Sequence, residues 1–334
     1  MKNKVDLLLI VRGLLAVSVL VWHMEGYKET MPHFLNIPGR TAVWIFFGIS
    51  GYVMGYGFFK KKYLFDKSSL ISFYKARFFR IYPLFLGISL ISASLIYYDT
   101  NIFPITWSNI WKELFMFQFN HEYHLSGVFW TLGIEVQYYL IAPLMAYIIE
   151  QILGNRAVLI GIAYLGLVAI VPLSTFFFKI DLDNRNLLGN LSHFFSGMVA
   201  CKWVIDEKMK LPFKQGVSVV ILLLFASNYL YHVKQVYYYL IGHVFIDIII
   251  LFLILLHQIV IEWNLNDRFK IIGFLIKTGT ISYGIYAWHP LILKYIPKDF
   301  NSLLVVFLAT WVISYVSFTF LEDKIIQWNK NYEK

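Results

Sequence analysis

VDLLLIVRGLLAVSVLVWHM, residues 5–24, is the stretch whose reading decides the fold. It is long and apolar enough to fill a bilayer, which takes about 20 residues, yet it carries Arg12 and His23, which a plain anchor omits. An ionisable side chain in hydrocarbon costs from ~2.5 to well over 10 kcal/mol depending on the assay, so each implies a partner, a wet cavity or a function. At ~100° and ~1.5 Å per residue, eleven steps return to within about 20° of the starting direction some 16 Å further on. Arg12 and His23 therefore leave one helix face at two depths. The segment follows Lys2 and Lys4 but offers no small-residue cleavage site, so it reads as a retained span and not as a signal peptide.

Outward from this stretch the composition repeats its message. The 334 residues are 59% hydrophobic, 19% aromatic and only 15% charged. The apolar runs are too long for a soluble core and too continuous for the alternating strands of a barrel, and lipid excludes irregular backbone. The fold class expected is all-α: a polytopic membrane bundle of about ten helices, forming a single integral domain over 1–334. The spans fall near 6–24, 41–59, 81–98, 128–149, 157–178, 187–203, 216–232, 239–260, 271–293 and 302–322.

With the N-terminus cytoplasmic, inner segments hold 20 Lys and Arg against 8 in outer segments, and Arg12 completes the 29. Positive charge belongs on the cytoplasmic side, which places both termini there. Topology and anionic membrane lipid account for the net charge of +9 without nucleic acid. A single cysteine, Cys201, excludes an intramolecular disulfide and a cysteine metal cluster. Residues 99–127, with Trp107, Trp111, Phe115, Phe117, Phe119, His121 and His124, read as an external cap containing a short in-plane helix.

This orientation puts His23, Glu135 in WTLGIEVQYYL and His289 in ISYGIYAWHPL at one outer level. His243 and Asp247, at i and i+4, are spaced to pair on one helix face. Such a group suits an acid–base centre, a proton relay or a metal site. Without a His-x-x-x-His pair in any span, the metal would need ligands from several helices, and none is expected. On the inner side, Arg77 and Arg80 in FYKARFFRIYP sit three apart, where an amphipathic helix turns both to one side. Guanidinium groups bind phosphate in bidentate fashion, and a lipid-contacting role is the plainer alternative.

Five strings in order, RGLLAVSVLVWH (12–23), FFGISGY (46–52), FYKARFFRIYP (73–83), WTLGIEVQYYL (130–140) and ISYGIYAWH (281–289), resemble the signatures of the acyltransferase-3 membrane family. The resemblance covers essentially the whole chain. Two positions depart from the usual pattern, Ala287 before Trp288 and Tyr52 after Gly51, and neither removes a titratable group. Members of that family typically O-acetylate extracytoplasmic glycans with acetyl-CoA as donor.

The resemblance implies a multi-pass protein of the bacterial inner membrane, a glycan acceptor, and catalytic roles for His23 and Glu135. Arg12, Arg77 and Arg80 would contact the donor's phosphates. Ser50, Trp130, Tyr283, Tyr286 and His289 are supporting candidates, with Ser50, Tyr283 and Tyr286 as oxyanion donors. Direct transfer and an acetyl-histidine intermediate both remain open. No esterase-like domain is fused here, which directs the expectation toward a lipid-linked or surface polysaccharide. A transporter or flippase of a lipid-linked sugar is the competing reading, although no inverted repeat is visible. A purely structural subunit is disfavoured by the buried ionisable set.

Overall fold

Two aspartates open helices by accepting amides that have no intrahelical partner, which stabilises a helix start. Asp6 accepts from Leu9 at 3.1 Å, and Asp66 accepts from Ser68 and Ser69, each at 3.0 Å. In the computed structural model they precede α1 (Leu7–Trp22) and α3 (Lys67–Thr100). The structure describes residues 3–4, 6–24, 37–102, 107–116, 125–154, 156–178, 185–207, 212–233, 235–258, 262–263, 270–297, 299 and 301–332.

Between these two helices lies α2 (Gly39–Phe59). After them come α4 (Trp107–Leu114), α5 (Trp130–Tyr147), α6 (Ala157–Phe178), α7 (Leu187–Glu207), α8 (Phe213–Val233) and α9 (Gln235–His257). The chain continues through α10 (Lys270–Thr280), α11 (Ser282–Tyr295), α12 (Leu303–Ser317) and α13 (Asp323–Tyr332). One short ladder is present, in which β1 (Asn3–Lys4) pairs antiparallel with β2 (Glu262–Trp263). The remaining regular structure among the described residues is helical.

Each expected apolar segment contains a helix, and among the described residues five helical stretches are long and apolar enough to cross a membrane. These are α2, α3, Trp130–Leu153, α8 and Leu303–Asn331. Helix α3 departs from the expected boundaries by starting at Lys67, so Arg77 and Arg80 belong to the same continuous helix as the apolar run. The ninth expected segment departs more, because it is two helices, α10 and α11, joined at Ile281. Thr278 and Thr280 donate back to the carbonyls of Phe274 and Ile276 at 2.9 and 3.0 Å. Such back-bonding competes with the helix ladder and bends it. Helix α5 runs on through a π turn (Ile148–Leu153), and a second π turn (Phe318–Glu322) joins α12 to α13. The short α4 lies where the cap helix was expected, whereas Phe117, Phe119, His121 and His124 fall outside the described residues.

The bundle is centred on α2. Of its apolar window 78% is enclosed by protein, against 17% for Leu303–Asn331. Glycines in FFGISGY make this possible: a Cβ on Gly51 would collide with the Phe194 carbonyl, and one on Gly197 with the Gly48 carbonyl. Small residues let helix backbones touch where lipid supplies no hydrophobic drive for association. A similar crossing joins α1 to α10, where a Cβ on Gly279 would meet the Leu9 carbonyl and one on Gly13 the Gly279 amide. This contact fixes the rotation of α1, and with it the directions of Arg12 and His23.

Candidate active site

Helix α1 presents its two ionisable residues to different cavities. Arg12 lines a cavity of about 110 Å³ together with Ser50, Arg77, Arg80, Glu135 and Tyr139. Arg77 and Arg80 reach it from one face of α3, as their spacing predicts, so three guanidinium groups surround one carboxylate. Glu135 accepts hydrogen bonds from Ser50 Oγ at 2.8 Å and Tyr139 Oη at 2.6 Å. The Arg77 guanidinium lies 5.9 Å from the Tyr139 ring centre, a cation–π distance that holds it beside the same group.

His23 caps the far end of α1 and lines two further cavities. One, of about 170 Å³, includes Trp22, Arg40, Trp130, Arg185, Tyr231 and Tyr286. The other, of about 410 Å³, includes Ser92, Ser126, His289 and Lys294 among mostly apolar neighbours. The imidazoles of His23 and His289 lie 5.0 Å apart between ring centres. The Nδ1 atom of His23 is 2.8 Å from the Val19 carbonyl, which can only accept, so Nδ1 carries the proton of that hydrogen bond. Val43 and Tyr286 line both the arginine cavity and the smaller histidine cavity, and so form the boundary between them.

Glu135 therefore does not join the histidines as the shared level suggested. It lies five residues beyond Trp130, about 7.5 Å along α5 and ~140° around it. Trp130 faces the histidine side and Glu135 the arginine side. The three hydroxyls expected to stabilise an oxyanion already donate elsewhere. Ser50 donates to Glu135, Tyr283 to the Ile81 carbonyl at 2.9 Å and Tyr286 to the Val128 carbonyl at 2.9 Å. Thr131 in turn donates to Tyr286 Oη at 2.7 Å.

The expected pairing of His243 with Asp247 is also corrected. Asp247 instead accepts from His193 Nδ1 at 2.7 Å and from Tyr164 Oη at 3.0 Å. His243 stacks on His193 at 4.8 Å and 7°, and meets the Trp44 ring at 4.2 Å with a 40° tilt. His193 and the buried Glu322 were not anticipated. Each is a titratable residue inside an apolar run, the same signal that marked Arg12, and Glu322 sits in the second π turn within electrostatic reach of Arg80. Among the described residues no group of three or more His, Cys, Asp and Glu is arranged to hold a metal ion.

A family model described as an acyltransferase domain, Acyl_transf_3, matches residues 7–322, nearly the full length of the chain. No curated protein and no solved structure matches it.

Proposed function

The chain belongs to the acyltransferase-3 family, and from that premise we propose that it moves an acetyl group from cytoplasmic acetyl-CoA to a hydroxyl of an extracytoplasmic, lipid-linked or surface glycan. The observation that carries this reading is the division of α1 between two kinds of cavity, one edged by Arg12, Arg77 and Arg80 and the other by His23. A charged, phosphate-bearing donor and a neutral sugar hydroxyl call for these two environments. In a bacterial inner membrane with both termini cytoplasmic, the arginines face the donor's side and His23 the acceptor's.

Arg77 and Arg80 contact the donor's phosphates, with Arg12 deeper along the pantetheine path. Glu135, held by Ser50 and Tyr139, keeps the three guanidiniums from repelling one another when the donor is absent. The thioester passes the Val43–Tyr286 boundary to reach His23. The His23 Nε2 lone pair takes the proton from the acceptor hydroxyl as its oxygen bonds to the carbonyl carbon. Collapse of the tetrahedral adduct breaks the carbon–sulfur bond, and the same proton returns to the departing thiolate. Atoms balance as ester plus free coenzyme A. Holding both reagents in one enclosed site supplies several kcal/mol of the barrier reduction.

The test is transfer of radiolabelled acetyl from acetyl-CoA to polysaccharide extracted from a strain lacking the protein, using the purified full chain in liposomes. His23→Ala is expected to abolish transfer at an unchanged protein level. Movement of a lipid-linked sugar across the liposome without acetylation would overturn the enzyme reading in favour of a transporter.

A further inference from the structure

Pro290 follows His289 directly, inside α11. Proline has no amide proton, so the carbonyl four residues earlier, that of Tyr286, loses its ladder donor. The His289 ring turns into this gap. Its Nδ1 is 3.3 Å from the Ile285 carbonyl and interacts also with that of Tyr286. Carbonyls accept only, so Nδ1 holds the proton and Nε2 the lone pair. That Nε2 is fully buried, has no hydrogen-bond partner among the described residues, and belongs to a residue lining the same 410 Å³ cavity as His23. An unsatisfied buried acceptor is costly, and its place beside a second imidazole gives it a use.

We propose that His289 is a positioning residue acting through His23: its Nε2 accepts the proton-bearing edge of the His23 imidazolium while the acyl group is in transit. The inference rests on the general-base reading of His23. It gives that base the charge-stabilising partner which Glu135, turned to Ser50 and Tyr139, does not supply. No bond other than the hydrogen bond changes at His289. The proton taken from the acceptor hydroxyl is shared between the two imidazoles, then leaves on the thiolate, so both residues end neutral.

Two substitutions separate this role from packing. His289→Gln keeps an acceptor near the Nε2 position, whereas His289→Phe keeps a buried ring and removes the acceptor. With the liposome transfer assay, Gln is expected to retain kcat within about tenfold and Phe to lose ~100-fold or more, both with the donor KM unchanged. Phe equal to or better than Gln would overturn the proposal. Should neither variant be recovered folded, a solvent-deuterium proton inventory on the unaltered protein decides: two protons in flight support the pair, and one proton overturns it. Failure of the underlying reading looks different, because His23→Ala would then retain full transfer whatever residue 289 is.

Discussion

Two pairs of histidines meet among the described residues, with all but the half-buried His23 enclosed by protein, and they are built in opposite ways. His193 is anchored by a carboxylate, Asp247, is stacked flat on His243 and meets Trp44 at a tilt of 34°, and none of these three aromatic residues lines the arginine cavity or either cavity at His23. His23 and His289 are tilted at 43° to one another, donate through Nδ1 to carbonyls of their own helices, and line one cavity. The first arrangement ties α2, α7 and α9 together around the most enclosed part of the molecule. The second sets two imidazoles beside the same cavity. A buried histidine in a membrane helix thus announces expense, and its anchor and its neighbouring space decide whether the return is packing or chemistry.

The largest expected effect that separates the two pairs is on rate. His23→Ala should lower acetyl transfer by at least ~10³-fold, within the range supplied by a positioned base. A residual rate near that of the unaltered protein would remove the distinction altogether. Next, replacing Arg77 and Arg80 by Gln should raise the donor KM about tenfold or more and leave the acceptor KM unchanged. An unaltered donor KM would detach the arginine cavity from phosphate binding.

A smaller change in activity but a clear change in stability is expected for Asp247→Asn. Removing one member of a buried pair costs ~3–5 kcal/mol, so the melting temperature in detergent should fall while kcat of the folded fraction stays within about twofold. A collapse of kcat at full stability would make the stacked pair catalytic and break the comparison.

The smallest effect lies at the entrance to α3. Hydrogen bonds from Ser68 and Ser69 hold the exposed Asp66 carboxyl below its usual range. A carboxyl depressed in the folded state stabilises it above the unfolded value, and this contribution is lost as pH falls through the folded value. Asp66→Ala should therefore lower the melting temperature slightly at neutral pH and not at all in acid, as thermal scans across pH would record.

Much of this arrangement can be read along the chain, because it follows from periodicity and cost. Eleven residues of helix place Arg12 and His23 on one face, and three place Arg77 beside Arg80. The glycines of FFGISGY stand at a close helix crossing. Cross-helix pairing is not legible in this way. His193 and Asp247 are 54 residues apart, and local spacing favoured His243 as the partner. The level read for Glu135 carries no azimuth, and ~140° of helix rotation separates it from Trp130. The break at Ile281 was hidden because apolar character continues across it, while the hydroxyls of Thr278 and Thr280 that weaken the ladder look like ordinary small residues.

The crossing of Gly13 with Gly279 also sets an order of assembly. The first helix enters the bilayer roughly 270 residues before its partner has been made, an interval of ~15–50 s at 5–20 residues per second of synthesis. Throughout that interval α1 can pack on α2 but lacks the helix whose backbone it crosses at Gly13. Correct docking of the N-terminus is thus among the last events of biogenesis. A side chain larger than hydrogen at either glycine would strand a finished but unclosed protein, visible as a full-length chain whose first helix remains open to proteolysis.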